Sequence, residues 1–140
     1  MKALIDTCVI IDALQNREPF FDDAQNIIIA SANGEYEGYV SAKALLDVYY
    51  IIRKYRSDKE TRKYVLSIMD LFGVIDTTGE DLLEAVNGPV KDFEDGVMSE
   101  TAARAGMDII VTRNIKDYKK AKIKAALPSD FLALLDGGIS

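Results

Sequence analysis

A chain of 140 residues, 49% hydrophobic and 29% charged, has the length and composition of one folded domain, spanning 1–140, with a real apolar core. With no histidine and a single cysteine, it cannot build a Ser-His triad, an imidazole general base, the usual zinc site or an internal disulfide. The formal charge of −6 argues against a protein that coats nucleic acid non-specifically, because such binding rests on phosphate neutralisation.

The opening, MKALIDTCVIID, reads as a short apolar strand at Ala3–Ile5 ending on Asp6, then a helix over Thr7–Leu14. Asp6 and Asp12 interrupt any signal-peptide core, and no apolar run approaches the roughly 20 residues of a membrane span. The lone Cys8 reads as a packed core residue and fits a reducing cytoplasm. A helix over Pro19–Ala32 follows, with Pro19 suited to its first turn and Asn33-Gly34 to its stop. Next come a strand at Tyr36–Val40, a helix over Ser41–Lys54, and a helix over Ser57–Phe72 capped at Ser57-Asp58. The second half predicts strands at Gly73–Asp76 and Asp108–Thr112, and a weaker one near Lys122–Lys124. Its helices are expected over Glu80–Asn87, capped by Thr78, over Asp92–Ala105, stopped by Gly106, and over Ser129–Leu135 after Pro128. Alternating strands and helices point to an α/β fold with a mainly parallel sheet covered on both faces. Sites in such sheets gather at the carboxyl ends of strands, where Asp6, Ser41 and Thr112–Asn114 fall.

Three groups of polar residues stand out. In AKALLDVYYII, Lys43 and Asp47 are the only charges on a helix that reads as apolar nearly all round and hence buried. Asp47 there is either salt-bridged to an arginine, set in a solvent-facing slot, or a ligand for a cation. Asp92 and Asp95 share one helix face, as a cap and dipole complement or as part of a site. The small Gly96, Ser99, Ala102, Ala103 and Gly106 would let that helix lie close to the sheet. Thr112 and Asn114 follow a buried strand, with Asp117 one turn later; they read as turn residues or as partners of the other groups. Clustered carboxylates raise one another's pKa and are tolerable together around a divalent cation; oxygen ligands without His or Cys select Mg²⁺ or Mn²⁺. Such an ion supports phosphodiester hydrolysis.

The stretches LIDTCVIID, VSAKALLDVYYIIRK and DFEDGVMSETAARAGMDIIVTRNIKDY, closed by LPSDFLALL, together resemble the PIN domain, especially the VapC-type toxin ribonucleases. The resemblance implies a three-layer α/β/α sandwich on a central sheet of four or five strands, and a Mg²⁺- or Mn²⁺-dependent endoribonuclease. Carried over by position, Asp6, Asp47 and Asp95 would be the catalytic metal ligands. Asp47 stands where a glutamate is more usual, and Asn114 where many members have a fourth acidic residue; Asp92 and Asp117 are candidates for the missing charge. Thr7 and Thr112 match positions that are often hydroxyls beside the site. Water would attack and the 3′ oxygen would leave, giving a 5′-phosphate. The implied partners are the RNA substrate, a small antitoxin and a second copy of the chain, in the cytoplasm and away from membranes.

Two basic runs, Arg53 to Lys63 and Lys116 to Lys124, read as solvated faces or as RNA tracks. Tyr49, Tyr50 and Tyr55 read as base-stacking platforms or as core and dimer-interface residues. Two competing readings are a PIN-fold nuclease acting in RNA processing or on DNA, and a receiver-type phosphoacceptor switch. The switch lacks support: Asp6 has no adjacent acidic partner, and Thr112 leads to Arg113-Asn114 where a lysine is needed.

Overall fold

The computed structural model describes residues 1–137. Strand β1 (Lys2–Ile5) is followed by helices α1 (Thr7–Leu14) and α2 (Phe21–Ala32). Strand β2 (Glu37–Ser41) is followed by α3 (Ala42–Arg53) and α4 (Asp58–Leu71), and β3 (Gly73–Ile75) by α5 (Gly79–Asn87) and α6 (Phe93–Arg104). Strand β4 (Ile109–Val111) leads through a 3-10 turn at Ile115–Tyr118 to β5 (Ala125–Ala126) and α7 (Pro128–Gly137). The five strands form one sheet in the order β3-β2-β1-β4-β5, and each neighbouring pair is parallel.

Side chains alternate across the strands, so β1 and β4 at the centre feed a core on each face. Ala3, Ile5, Val40, Ile109 and Val111 face one side, where Val9 and Ile10 of α1, Ile27 of α2, Val48 and Ile52 of α3 and Phe131 of α7 cover them. Leu4 and Ile110 face the other side with Ala102 and Met98 of α6 and with Tyr118. A parallel sheet covered on both faces is why the strands read as continuous apolar runs. The result is the α/β/α sandwich with a parallel sheet that the sequence predicts.

Local chemistry fixes the joints. Ser41 Oγ accepts the Ala44 N–H at 3.0 Å, and Ser57 Oγ accepts that of Glu60 at 3.1 Å. Thr78 and Asp81 form a capping box at the start of α5. Gly106 takes φ +74°, a left-handed conformation that lets the chain leave α6 and turn into β4. A Cβ on Gly73 would lie 2.6 Å from the Tyr39 ring, so any other residue there would have to displace that ring where β3 pairs with β2.

Several expectations need correction. Helix α2 begins at Phe21, and Pro19 belongs to the connection, joined by a cis bond to Glu18. The last strand is Ala125–Ala126 instead of Lys122–Lys124. Alanines can be buried beside β4, whereas the Lys122 N–H is held by Ser99 Oγ of α6 and its ammonium by Glu100. Helix α3 is buried on one face only: Leu46 is 60% and Tyr50 66% exposed. Cys8 is half-buried and packs at the edge of the core. Gly96 brings α6 close to Ala85 of α5, so part of the small-residue pattern serves helix–helix contact rather than the sheet. Among the described residues no helix is long and apolar enough to cross a membrane.

Candidate active site

The strand order reverses between β1 and β4, because the chain builds β2 and β3 to one side of β1 and then β4 and β5 to the other. Ligands of open α/β sheets bind in the crevice at that switch, off the carboxyl ends of the strands. Asp6 and Thr112 are the first residues beyond β1 and β4, and the Asp6 N–H donates to Val111 O at 2.9 Å.

Asp6 is 8% exposed and caps α1. Its Oδ1 accepts the Thr7 N–H at 2.8 Å, and its Oδ2 accepts the Thr112 hydroxyl at 2.7 Å. Thr112 Oγ1 in turn accepts the Asn114 N–H at 3.0 Å, which commits the threonine proton to Asp6. The Cys8 thiol lies 3.8 Å from Asp6 Oδ2. Burial raises the pKa of Asp6 despite these donors, and burial together with the Asp6 charge pushes the Cys8 thiol up to about 11.

Asp95 lies in the first turn of α6, whose cap is Asp92; Asp92 Oδ1 accepts the Asp95 N–H at 3.0 Å. The Tyr118 hydroxyl donates to Asp95 Oδ1 at 3.2 Å, and Oδ2 has no hydrogen-bond partner among the described residues. Burial, then the charges of Asp92 and Asp6, push the Asp95 carboxyl up to about 6, with Asp117 adding to the effect.

Asp47 projects from the second turn of α3. Its Oδ2 is 2.5 Å from Lys43 Nζ, which is also 3.5 Å from Glu94 Oε2. Lys43 is four residues before Asp47 and so on the same helix face. Burial works against the Lys43 charge, but the Asp47 hydrogen bond and charge outweigh it and raise the pKa. The cation partner of Asp47 is thus a lysine of its own helix.

Asp6, Asp47 and Asp95 line one cleft of about 440 Å³, together with Thr7, Asn114 and Arg17. Thr112 is fully buried beneath it and meets it through residues that line it, Asp6 and Asn114. Asp92 and Asp117 lie outside that lining and border a neighbouring cleft. Among the described residues, neither Asp6 nor Asp95 has a lysine or arginine within ion-pair distance, and no three Asp, Glu or Cys side chains, as placed, converge closely enough to enclose an ion. The donor set is still chemically suited to a hard divalent cation: all oxygen, with Asp6 raised by burial, Asp95 raised by burial and by the charges of Asp92 and Asp6, and a third carboxylate on the same cleft held off by Lys43.

Several residues that shape this site escape sequence reasoning. Tyr118 is 3% exposed in the core under α6, yet its hydroxyl reaches Asp95. Its one signal is chemical: a buried tyrosine needs a partner for its hydroxyl. Arg113 binds the buried Asp12 through Nε at 2.5 Å and Nη2 at 3.1 Å and stacks over Phe20 at 4.1 Å, tying the end of β4 to α1. Arg104 binds the buried Asp81 through Nε at 2.9 Å and Nη2 at 3.0 Å, locking α6 to α5. These pairs join residues far apart in sequence, and no local pattern announces them. The Lys43–Asp47 pair was visible as an i, i+4 spacing.

A family model described as "PIN domain" matches residues 2–116. Among curated proteins, none matches the sequence. The fold is similar to solved structures that are distant in sequence. Rickettsia felis VapBC2, bound to a DNA fragment from its promoter, is 15% identical over 91% of this chain and 98% of that one, with a TM-score of 0.71. A toxin–antitoxin complex from Klebsiella pneumoniae is 20% identical over 90% and 97%, with a TM-score of 0.67. Mycobacterium tuberculosis VapC20, described as a toxin that cleaves the sarcin-ricin loop, is 10% identical over 77% and 86%, with a TM-score of 0.62. On the family match, spanning most of its length and all three acidic stretches, the chain belongs to the PIN-domain family.

Proposed function

We propose that this chain is a metal-dependent endoribonuclease and the toxin of a toxin–antitoxin pair. The observation that carries the reading is the pairing of Asp6 with Asp95: two carboxylates from distant elements, each with a raised pKa and no cation of its own, opening on one cleft at the sheet's switch point. Repulsion of that kind persists in a fold when binding of a cation uses it.

Asp6, Asp95 and, once released from Lys43, Asp47 would hold Mg²⁺ or Mn²⁺. When bound, the ion supplies charge neutralisation for a phosphodiester and lowers the pKa of an attacking water. The chain's own part is orientation. Thr112 and the Thr7 N–H fix both oxygens of Asp6, Tyr118 fixes one oxygen of Asp95, and Asn114 borders the space where the substrate backbone would lie. The similar structures captured as toxin–antitoxin complexes support an antitoxin partner. Exposed apolar side chains at Leu46, Leu83 and Val86 leave surface for that partner and for a second copy of the chain.

The test is incubation of the purified protein with structured RNAs in Mg²⁺, in Mn²⁺ and in EDTA, beside Asp6→Asn. Cleavage is expected only with metal and only by the parent protein. Equal cleavage by the two proteins would refute the role of this site.

A further inference from the structure

An acidic chain with an acidic site still has to attract a polyanion. The sequence offers two basic runs without ranking them, and their surroundings in the fold differ. In the run from Arg53 to Lys63, the arginines are engaged: Arg53 Nη1 donates to Arg56 O at 3.0 Å, Arg56 pairs with Glu60 at 3.7 Å, and Arg62 pairs with Asp58 at 2.9 Å. Lys54, Lys59 and Lys63 have no ion pair among the described residues, but none of this run lines the site cleft or the cleft beside it. This run begins at the last turn of α3, six residues beyond Asp47 and thus about 9 Å along the helix.

The second run differs in its place: it helps to line a cleft beside the site. Lys116, Lys119 and Lys120 line a cleft of about 650 Å³ with Lys91, which arrives from the α5–α6 connection and belongs to neither run. Among the described residues, none of the four has a carboxylate within ion-pair distance. Only Asp92 and Asp117 oppose them in the lining, leaving two net positive charges there in a chain of formal charge −6. The cleft also adjoins the site. Asp92 caps the helix that carries Asp95, Lys116 lies two residues beyond Asn114, and the charges of Asp92 and Asp117 are felt at Asp95.

We propose that the cleft of Lys91, Lys116, Lys119 and Lys120 is the track that binds the RNA phosphate backbone and leads it to Asp6 and Asp95. The inference rests on the nuclease reading and deepens it by assigning the path of the substrate. Four ammonium groups without an ion pair, carrying a net excess of two positive charges on a concave wall, are suited to single-stranded backbone, whose binding is dominated by phosphate contacts and counterion release. The two aspartates keep the track from being uniformly basic, consistent with a chain that does not coat nucleic acid at large.

The experiment measures affinity for a short, fluorescently labelled single-stranded RNA across a salt series, using Asp6→Asn as a cleavage-silenced parent. One variant adds Lys91→Gln, Lys119→Gln and Lys120→Gln. A control of equal charge change adds Lys54→Gln, Lys59→Gln and Lys63→Gln on the α3–α4 side. The cleft variant is expected to bind about tenfold more weakly at low salt, with the slope of log K against log salt reduced by about 2, while the control stays with the parent. Equal losses in the two triples, or a loss in the control alone, would overturn the assignment. So would unchanged RNA affinity in the cleft variant, including the case where that variant loses an acidic protein partner instead. If the wild-type protein cleaves RNA with metal but the cleft triple leaves its KM unchanged, the track alone fails. Should the wild-type protein neither bind nor cleave RNA, the nuclease reading falls and takes the track with it.

Discussion

Replacing Asp95 by asparagine should make the metal-free protein more stable at neutral pH, although it removes a residue assigned to the site. In the fold this carboxyl titrates at about 6 against its ordinary 3.8, chiefly through burial and then the charges of Asp92 and Asp6. The folded state therefore binds the proton more tightly than the unfolded chain does. The penalty is absent below the ordinary pKa, grows as pH rises between the two values, and is complete above about 6. A displacement of that size corresponds to about 3 kcal/mol if fully expressed. Asp95 is only partly buried, so solvent and salt screening reduce this to about 1.5 kcal/mol. Losing a negative charge from the first turn of α6 costs about 0.5 kcal/mol of helix-dipole stabilisation. Asparagine keeps an oxygen for the Tyr118 hydroxyl, so that bond remains. The net gain is about 1 kcal/mol, or about 4 °C in melting temperature for a chain of this size. The assay is thermal unfolding of both proteins in EDTA, from about pH 4 to about pH 8. The variant should match or fall slightly below the parent at the acid end and exceed it at the neutral end. With Mg²⁺ added, only the parent should gain. An asparagine variant that melts lower than the parent at neutral pH, or by the same difference at every pH, would refute the picture of an uncompensated carboxylate.

Two further substitutions probe the neighbours of the site. Tyr118→Phe keeps the buried ring but removes the donor to Asp95, and should weaken Mn²⁺ binding by about tenfold, read from the metal-induced rise in melting temperature, with little change in the metal-free protein. Lys43→Met removes the ammonium that holds Asp47 and should tighten Mn²⁺ binding severalfold in a direct titration; weaker binding would show that Lys43 does not compete for Asp47.

The fold was legible because its signals are local. Continuous apolar runs mark the strands, and the caps at Ser57 and Thr78 and the glycine at 106 each report on a few adjacent residues and fall at an observed joint. The misplacement of β5 has the same origin. Two alanines carry almost no strand signal, and they pair with β4 because they fit beside Ile110 and Val111, a fact the local sequence does not hold. Helix α3 was misjudged for a related reason: Leu46 and Tyr50 are apolar enough to look buried, but only packing decides which apolar face is covered.

The site was legible to a different degree, because position along the chain is not orientation. A strand end and the first two turns of helices bring Asp6, Asp47 and Asp95 to one cleft, and those placements follow from the order of elements. Where Asp6 and Asp95 point follows from partners the sequence does not pair, Thr112 across the switch point and Tyr118 in the turn after β4, whereas Asp47 is held by Lys43, its i, i+4 neighbour. Asp47 shows why this matters. Its helix is fixed at one end by the Ser41 cap and along one face by Ala44, Val48 and Ile52, so α3 cannot slide to bring a short side chain inward. Rotation of the side chain away from Lys43 is the remaining freedom. A cation between Asp6 and Asp95 would repel the Lys43 ammonium and attract the Asp47 carboxylate. The same charge therefore favours release of one pair and completion of the other.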